Sequence, residues 1–426
     1  MQKVRPTSSA AATNVLSPRR VLTCLFACLF MSCATLAQAL SASNFTAHSA
    51  KNSAQGAAQG GQTSGAKGGA KGGPNGGQNG GRGGPPNGGG PETKTTSPAT
   101  GKDPAIQWYA TLERGLAEAK RTNKPILFVT GAPHCSGVSG MWCPGKKKID
   151  DGWLTHNDII EVAQKFVCIR LTSYESQSEA EFIEKLRGNP VNTAFAILTP
   201  QGEPALKVQG LGRGPSELFS DTADMVKQMN EVAAKYVATD VAQTPMLPVT
   251  LSAKLGLAVA SADLQPLVLV VASDAVARAA LEAKVAKLAW SKDFEGFFTY
   301  ANAANTKSLV LTSATNNGAA NTSSGNAANT AAITKDSVLI IEPDIFGAAG
   351  KIVAQISASD VDTQLSGAMK SARTNHVRME KSREQLKRMA LAQGIYFETG
   401  IPVSGKREAE DRAKYKQQLD ARKKAL

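Results

Sequence analysis

"IQWYATLERGLAEAKRTNKPILFVTG", residues 106–131, reads as a helix, a stop and a buried strand in one stretch. Leu112, Leu116 and Ala119 recur at helical spacing, Asn123-Lys124-Pro125 breaks the helix, and the apolar run Ile126–Val129 continues as a strand. Farther along, Asn157–Lys165 is a second helical segment leading into "FVCIRL", whose alternation sets Phe166, Cys168 and Arg170 on one face. "FAILTPQGEPALKVQG" from Phe195 reads as strand, Pro-Gln-Gly turn, strand, and "PSELFSDTADMVKQMNEVAAKY" from Pro215 closes with an amphipathic helix. Helix, strand, helix, strand, helix, hairpin, helix is the order of an α/β fold.

The opening stretch recurs. "GLAEAKRTNKPILFVT" (115–130) aligns without a gap with "GLAVASADLQPLVLVV" (256–271), at an offset of 141 and with six identities. "ILTPQGE" from Ile197 is answered by "LIIEPDIFGAAGK" from Leu339, and "KFVCIRL" by "GFFTYAN". A fixed offset kept across several elements is the signature of a tandem repeat. Two units are therefore expected, 105–240 and 241–370, the second carrying a polar insertion at 314–333 too poor in large apolar side chains to pack.

The flanks have a different character. Arg19-Arg20, the apolar run from Val21 to about Ala37 and the small residues Ala37 and Ala39 form the three regions of a secretory signal. Residues 1–39 are expected to direct the chain out of the cytoplasm, to the periplasm or the medium, with an uncleaved membrane anchor as the alternative. Residues 40–104, rich in Gly, Asn and Gln, cannot bury a core and read as a flexible, disordered tether. Residues 371–426 form a basic tail of good helix formers with thin apolar stripes. Of the net charge of +13, residues 1–104 and 370–426 each hold +8, whereas 105–369 sum to −3. The tail is either a solvated or loosely docked helix or an arm for an anionic cell-envelope polymer or membrane surface, and no specific nucleic-acid site is legible.

Removing the signal takes away Cys24, Cys28 and Cys33 and leaves Cys135, Cys143 and Cys168. In an oxidising compartment two cysteines eight positions apart are candidates for pairing, and the third reads as a small buried hydrophobe. Three readings of Cys135 and Cys143 stay open: a structural disulfide worth about 2.5 kcal/mol by chain entropy, a redox-active pair, or independent thiols. No metal site is expected, because the histidines are scattered and offer no paired ligand spacing.

"GLAEAKRTNKPILFVTGAPHC", preceded by Trp108 and Leu112, resembles the opening of the secreted thioredoxin-like proteins, and the resemblance extends from Ile106 to about Tyr236. It implies a thioredoxin-like fold, in two tandem units given the repeat, and thiol-disulfide chemistry without a cofactor. Ten residues past Pro125, the family's usual distance to its first cysteine, stands Cys135, while Cys143 follows Trp142 as the family cysteine follows its tryptophan. Both have a claim to one position, which implies an insertion of about eight residues. Neither has a cysteine at plus three, where Val138 and Lys146 stand, and Thr193 occupies the place of the family's cis-proline. In the second unit Val276 stands where the first has Cys135, so that unit can do no thiol chemistry.

Two functions follow. One is an extracytoplasmic thiol-disulfide oxidoreductase or isomerase acting on protein thiols or disulfides through Cys135 and Cys143, with its thiolate at the start of a helix. The other is a non-catalytic thioredoxin-like binding or scaffold protein at the cell surface, with a structural Cys135–Cys143 bridge.

Overall fold

The structure is a computed structural model that describes residues 105–135, 138–139, 152–188, 193–206, 211–313, 333, 335–377, 383–401 and 406–425. All of them belong to one compact unit, Gly90–Leu426. The expected signal, the tether, Cys143 and nearly all of the 314–333 insertion lie outside the described residues.

Helix α1 (Leu112–Thr122) feeds strand β1 (Ile126–Gly131), after which the chain forms a short hairpin of β2 (His134–Cys135) and β3 (Val138–Ser139). There follow α2 (Asn157–Ala163), β4 (Val167–Thr172), α3 (Gln177–Arg187), β5 (Ala194–Leu198), β6 (Leu211–Gly212) and α4 (Thr222–Ala233). Sheet I has the order β4-β1-β5-β6, with β4 parallel to β1 and β5 and β6 antiparallel to their neighbours.

Every residue of β1 and β4 is buried, as expected of strands covered on both faces. On one side Leu127, Val129, Cys168, Phe195 and Ile197 pack against α2 and α4. On the other Ile126, Phe128, Ile169, Leu171 and Leu198 pack against α1 and α3. The result is an α/β sandwich of three layers.

The second sheet uses α5 (Ala253–Asp263), β7 (Leu267–Val271), α6 (Ala275–Ala289), β8 (Thr299–Ala303), β9 (Val310–Ser313), β10 (Ser337–Pro343), β11 (Ala349–Ser357) and α7 (Val361–Asn375). Sheet II has the order β8-β7-β10-β11-β9. Its first four strands repeat the order and directions of β4-β1-β5-β6. Helix α5 packs on one face and α6 and α7 on the other.

The local detail repeats as well. Helices α1 and α5 have the same length and end on left-handed residues 141 positions apart, Asn123 (φ 49°) and Leu264 (φ 57°). Each is followed by a proline whose carbonyl accepts from the next parallel strand, Val167 N to Pro125 O at 2.9 Å and Thr299 N to Pro266 O at 3.1 Å. The sets differ between their second and third strands, where sheet I has α3 and sheet II has β9.

Polar groups tie the two sets together. Arg114 donates to Leu247 O at 2.8 Å and pairs with Glu282 at 2.9 Å, Gly296 N donates to Gln107 Oε1 at 2.9 Å, and Tyr109 packs on Trp290 with ring centroids 5.2 Å apart. Beyond α7 the tail forms α8 (Arg383–Gln393) and α9 (Lys406–Ala425). It is docked rather than solvated: Leu386, Ala390, Phe397, Tyr415 and Leu419 are buried with Ala258 and Phe346.

Candidate functional site

Strand β1 delivers the chain to the C-terminal edge of sheet I, and the β2-β3 hairpin begins three residues after Gly131. Cys135 lies on β2 with its backbone paired to Val138. This differs from the expected placement at a helix start. Cys135 itself has a strand backbone, and among the described residues the next helical segments are the 3-10 turn Trp153–Thr155 and α2 from Asn157. Cys143, the second expected site residue, lies outside the described residues, and the structure makes no statement about its pairing with Cys135.

Thr193, at the position read from sequence as the counterpart of a cis-proline, comes immediately before β5 and is buried. Arg213 Nε donates to its Oγ1 at 3.3 Å, and the amide of the next residue, Ala194, donates to Thr130 Oγ1 on β1 at 2.9 Å. These bonds fix the start of β5 beside the end of β1. On the other side, Ser173 N donates to Gly131 O at 3.3 Å and holds the turn after β4 to the same edge.

That turn carries two carboxyl groups that the sequence did not flag as functional. Burial raises the affinity of Glu175 for its proton, opposed by a bond from Gly400 N and by the positive charges of Arg412 and Lys254. Glu179, on the first turn of α3, is pushed up to about 7 by burial, while a bond from Leu112 N works in the opposite direction. Its Oε1 accepts from Leu112 N at 2.9 Å, which caps α1 from a neighbouring helix, since Thr111 makes no side-chain cap. The nearest sequence signal was the acid-rich run "SYESQSEAE", which is also what an ordinary capped helix start looks like.

Cys168 is buried on β4, its Sγ 3.6 Å from Ala163 O, and burial drives its thiol well above the ordinary range. It is a packing residue, as expected. Val276 is the second residue of α6 and is exposed, so the position matching Cys135 in the repeat is a solvent-facing aliphatic side chain. Among the described residues no group of three His, Cys, Asp or Glu could hold a metal ion, and no helix is long and apolar enough to cross a membrane.

A concavity lies towards the opposite edge of sheet I. A cleft of about 610 Å³ is lined by Lys124, Gln164, Phe166, Trp290, Lys292 and Glu295 among others, drawn from both sheet sets. Burial raises the proton affinity of Glu295, and the Lys124 ammonium opposes that. Lys124 Nζ is itself held by Gln164 O at 3.1 Å.

No family model matches the sequence, and no match is found among curated proteins or solved structures.

Proposed function

We propose that the chain is an extracytoplasmic protein of two tandem thioredoxin-like units, 105–240 and 241–370, of which the first exchanges thiols and disulfides through Cys135 and Cys143. The observation that carries this reading is the shared sheet plan. In both sets a parallel pair is followed by two antiparallel strands, in the order 2-1-3-4 once the edge strand β9 of sheet II is set aside, and Cys135 stands just past the C-terminal end of the strand that opens the first plan. Cys135 belongs to a hairpin at that edge, beside the fixed start of β5, whereas Cys168 is buried inside the sheet.

In the proposed cycle one thiolate of the pair attacks a substrate disulfide and forms a mixed disulfide, releasing one substrate thiolate. The other cysteine attacks the sulfur bound to the substrate, closing Cys135–Cys143 and releasing the second thiolate. The substrate gains two electrons, and a thiol reductant of the compartment must restore the dithiol. Redox titration against glutathione tests the proposal. A working pair equilibrates with the glutathione couple above about −300 mV. A bridge that resists glutathione, or two cysteines that never pair, overturns it.

One observation favours the second reading, a scaffold with a structural bridge. Cys135 lies on a strand and does not itself open a helix, the placement whose electrostatics lower a thiol pKa. Under that reading Cys143→Ser lowers the melting temperature and no reductant-dependent activity exists to lose.

A further inference from the structure

We propose that the cleft where the two sheet sets meet, lined by Lys124, Gln164, Phe166, Trp290, Lys292 and Glu295, is a binding site for a zwitterionic α-amino acid with an aromatic side chain. The site is separate from Cys135 and does not depend on the redox reading.

The cleft exists because of the repeat. Lys124 and Phe166 stand where the chain enters β1 and β4, and Glu295 stands just before β8, the strand of sheet II that corresponds to β4. Loops leading into corresponding strands of the two sets therefore face one space of about 610 Å³, a size that suits a small organic molecule.

The two sets differ in chemistry at this point. In the second, the residue before the proline is Gln265, whose amide is satisfied within its own set, donating to Gly296 O at 2.8 Å and accepting from Thr299 Oγ1 at 3.2 Å. The first has Lys124 at that place. One bond from its Nζ to Gln164 O at 3.1 Å leaves an ammonium with two more N–H groups to donate.

Glu295 supplies the opposite charge. It is half-buried, and among the described residues its carboxyl has neither a hydrogen-bond nor an ion-pair partner, only the field of the Lys124 ammonium. Both groups also act on the buried Cys168 thiol, so they converge on one region of the cleft without closing on each other. An ammonium and a carboxyl left unbonded across one gap are complementary to the carboxylate and ammonium of an amino acid, which lie close together on a single carbon. Lys292 adds a second ammonium to the lining, while Glu118, its other carboxyl, is already paired with Arg121 at 2.6 Å.

Trp290 and Phe166 give the apolar part of the lining. Trp290 donates its Nε1–H to Met246 O at 3.0 Å and packs on Tyr109 with ring centroids 5.2 Å apart. Its ring is therefore fixed before a ligand arrives, which lowers the ordering cost of binding an aromatic body against it.

Titration calorimetry on the full chain, in which the residues before Ala105 are present, tests the site with L-phenylalanine, phenylpropionate and phenethylamine. L-phenylalanine is expected to bind, and each analogue, lacking one of the two charges, to bind about tenfold more weakly or worse. Glu295→Gln is expected to bring L-phenylalanine down to the level of phenylpropionate, and Lys124→Gln to weaken it by a similar factor, with urea midpoints confirming that both variants are folded. No heat with L-phenylalanine at millimolar concentration overturns the site. Either analogue binding as tightly as L-phenylalanine overturns its zwitterionic character, and so does an unchanged affinity in Glu295→Gln. The analogue series on the parent protein decides the matter even where a variant does not fold. None of these readouts involves a thiol, so the outcome of the glutathione titration leaves them untouched.

Discussion

Arg170 on β4 and Asp263, the last residue of α5, form an ion pair between the two sheet sets, their side chains 10% and 8% exposed. Arg170 also lies over the Trp108 ring, 5.7 Å from its centroid. Removing one member of such a pair leaves the other charge in a poorly hydrated place. Asp263→Asn is expected to destabilise the unit by about 3 kcal/mol, whereas replacing both residues by apolar ones of similar size recovers much of the loss. Urea unfolding of the single and double variants checks this. An Asp263→Asn protein as stable as the parent would assign the junction to packing alone.

Glu179 makes stability depend on pH in a defined direction. Its folded pKa is raised from 4.5 to about 7, so between those values the native state keeps a proton that the unfolded chain has lost. Stability is therefore greatest below pH 4.5 as far as this group is concerned, and its contribution is lost as pH rises through 7. The span corresponds to roughly 3 kcal/mol for a side chain this buried. Glu179→Gln keeps an acceptor for Leu112 N and is expected to flatten the profile, leaving the variant more stable than the parent at pH 8 and about equal to it at pH 4. Chemical unfolding at those two pH values measures the difference.

Gly347 stands in the tight turn between β10 and β11 at φ 66°, and a Cβ there would lie 2.5 Å from Ala258 Cα and 2.8 Å from Leu257 O. The obstacle is the backbone of α5, which cannot rotate aside as a side chain would. Gly347→Ala is expected to cost about 2 kcal/mol or more, from backbone strain and overpacking together. Thermal unfolding reads it directly.

At the far end of α9, Arg422, Lys423 and Lys424 are exposed, whereas Tyr415 and Leu419 are buried. Basic side chains near an anionic surface contribute about 1 kcal/mol each. Replacing the three by Gln is expected to weaken association with phosphatidylserine vesicles at low salt and to leave unfolding unchanged. Because exposed charges are screened over about 8 Å at physiological ionic strength, parent and variant should converge as salt rises. Identical vesicle binding at low salt would remove the tail from the list of surface-binding elements.

Much of the architecture was legible because burial on two faces demands unbroken apolar runs. Ile126–Val129 and Leu267–Val271 each announce a covered strand, and the identities at an offset of 141 anticipate that α1 and α5 end on left-handed residues at the same offset. Helix α6 was harder to see, since its alanines give little contrast between faces. The site was less legible still. Counting along the chain found Cys135 at the edge of β1, but local pattern contains nothing to say that its backbone would be a strand instead of a helix start.

What the sequence determined by itself was the alternation of strands and helices, the recurrence of that plan and the separation of the positive charge into the two ends. These are local or compositional properties, decided by side-chain periodicity and turn chemistry within a few residues. Tertiary structure alone decided that Glu179 caps α1, that Arg170 meets Asp263, and that the tail crosses beside Tyr174 and Glu175. Those partners are separated by 67, 93 and more than 220 positions, and it is packing of the sheets against their helices that brings them within bonding distance.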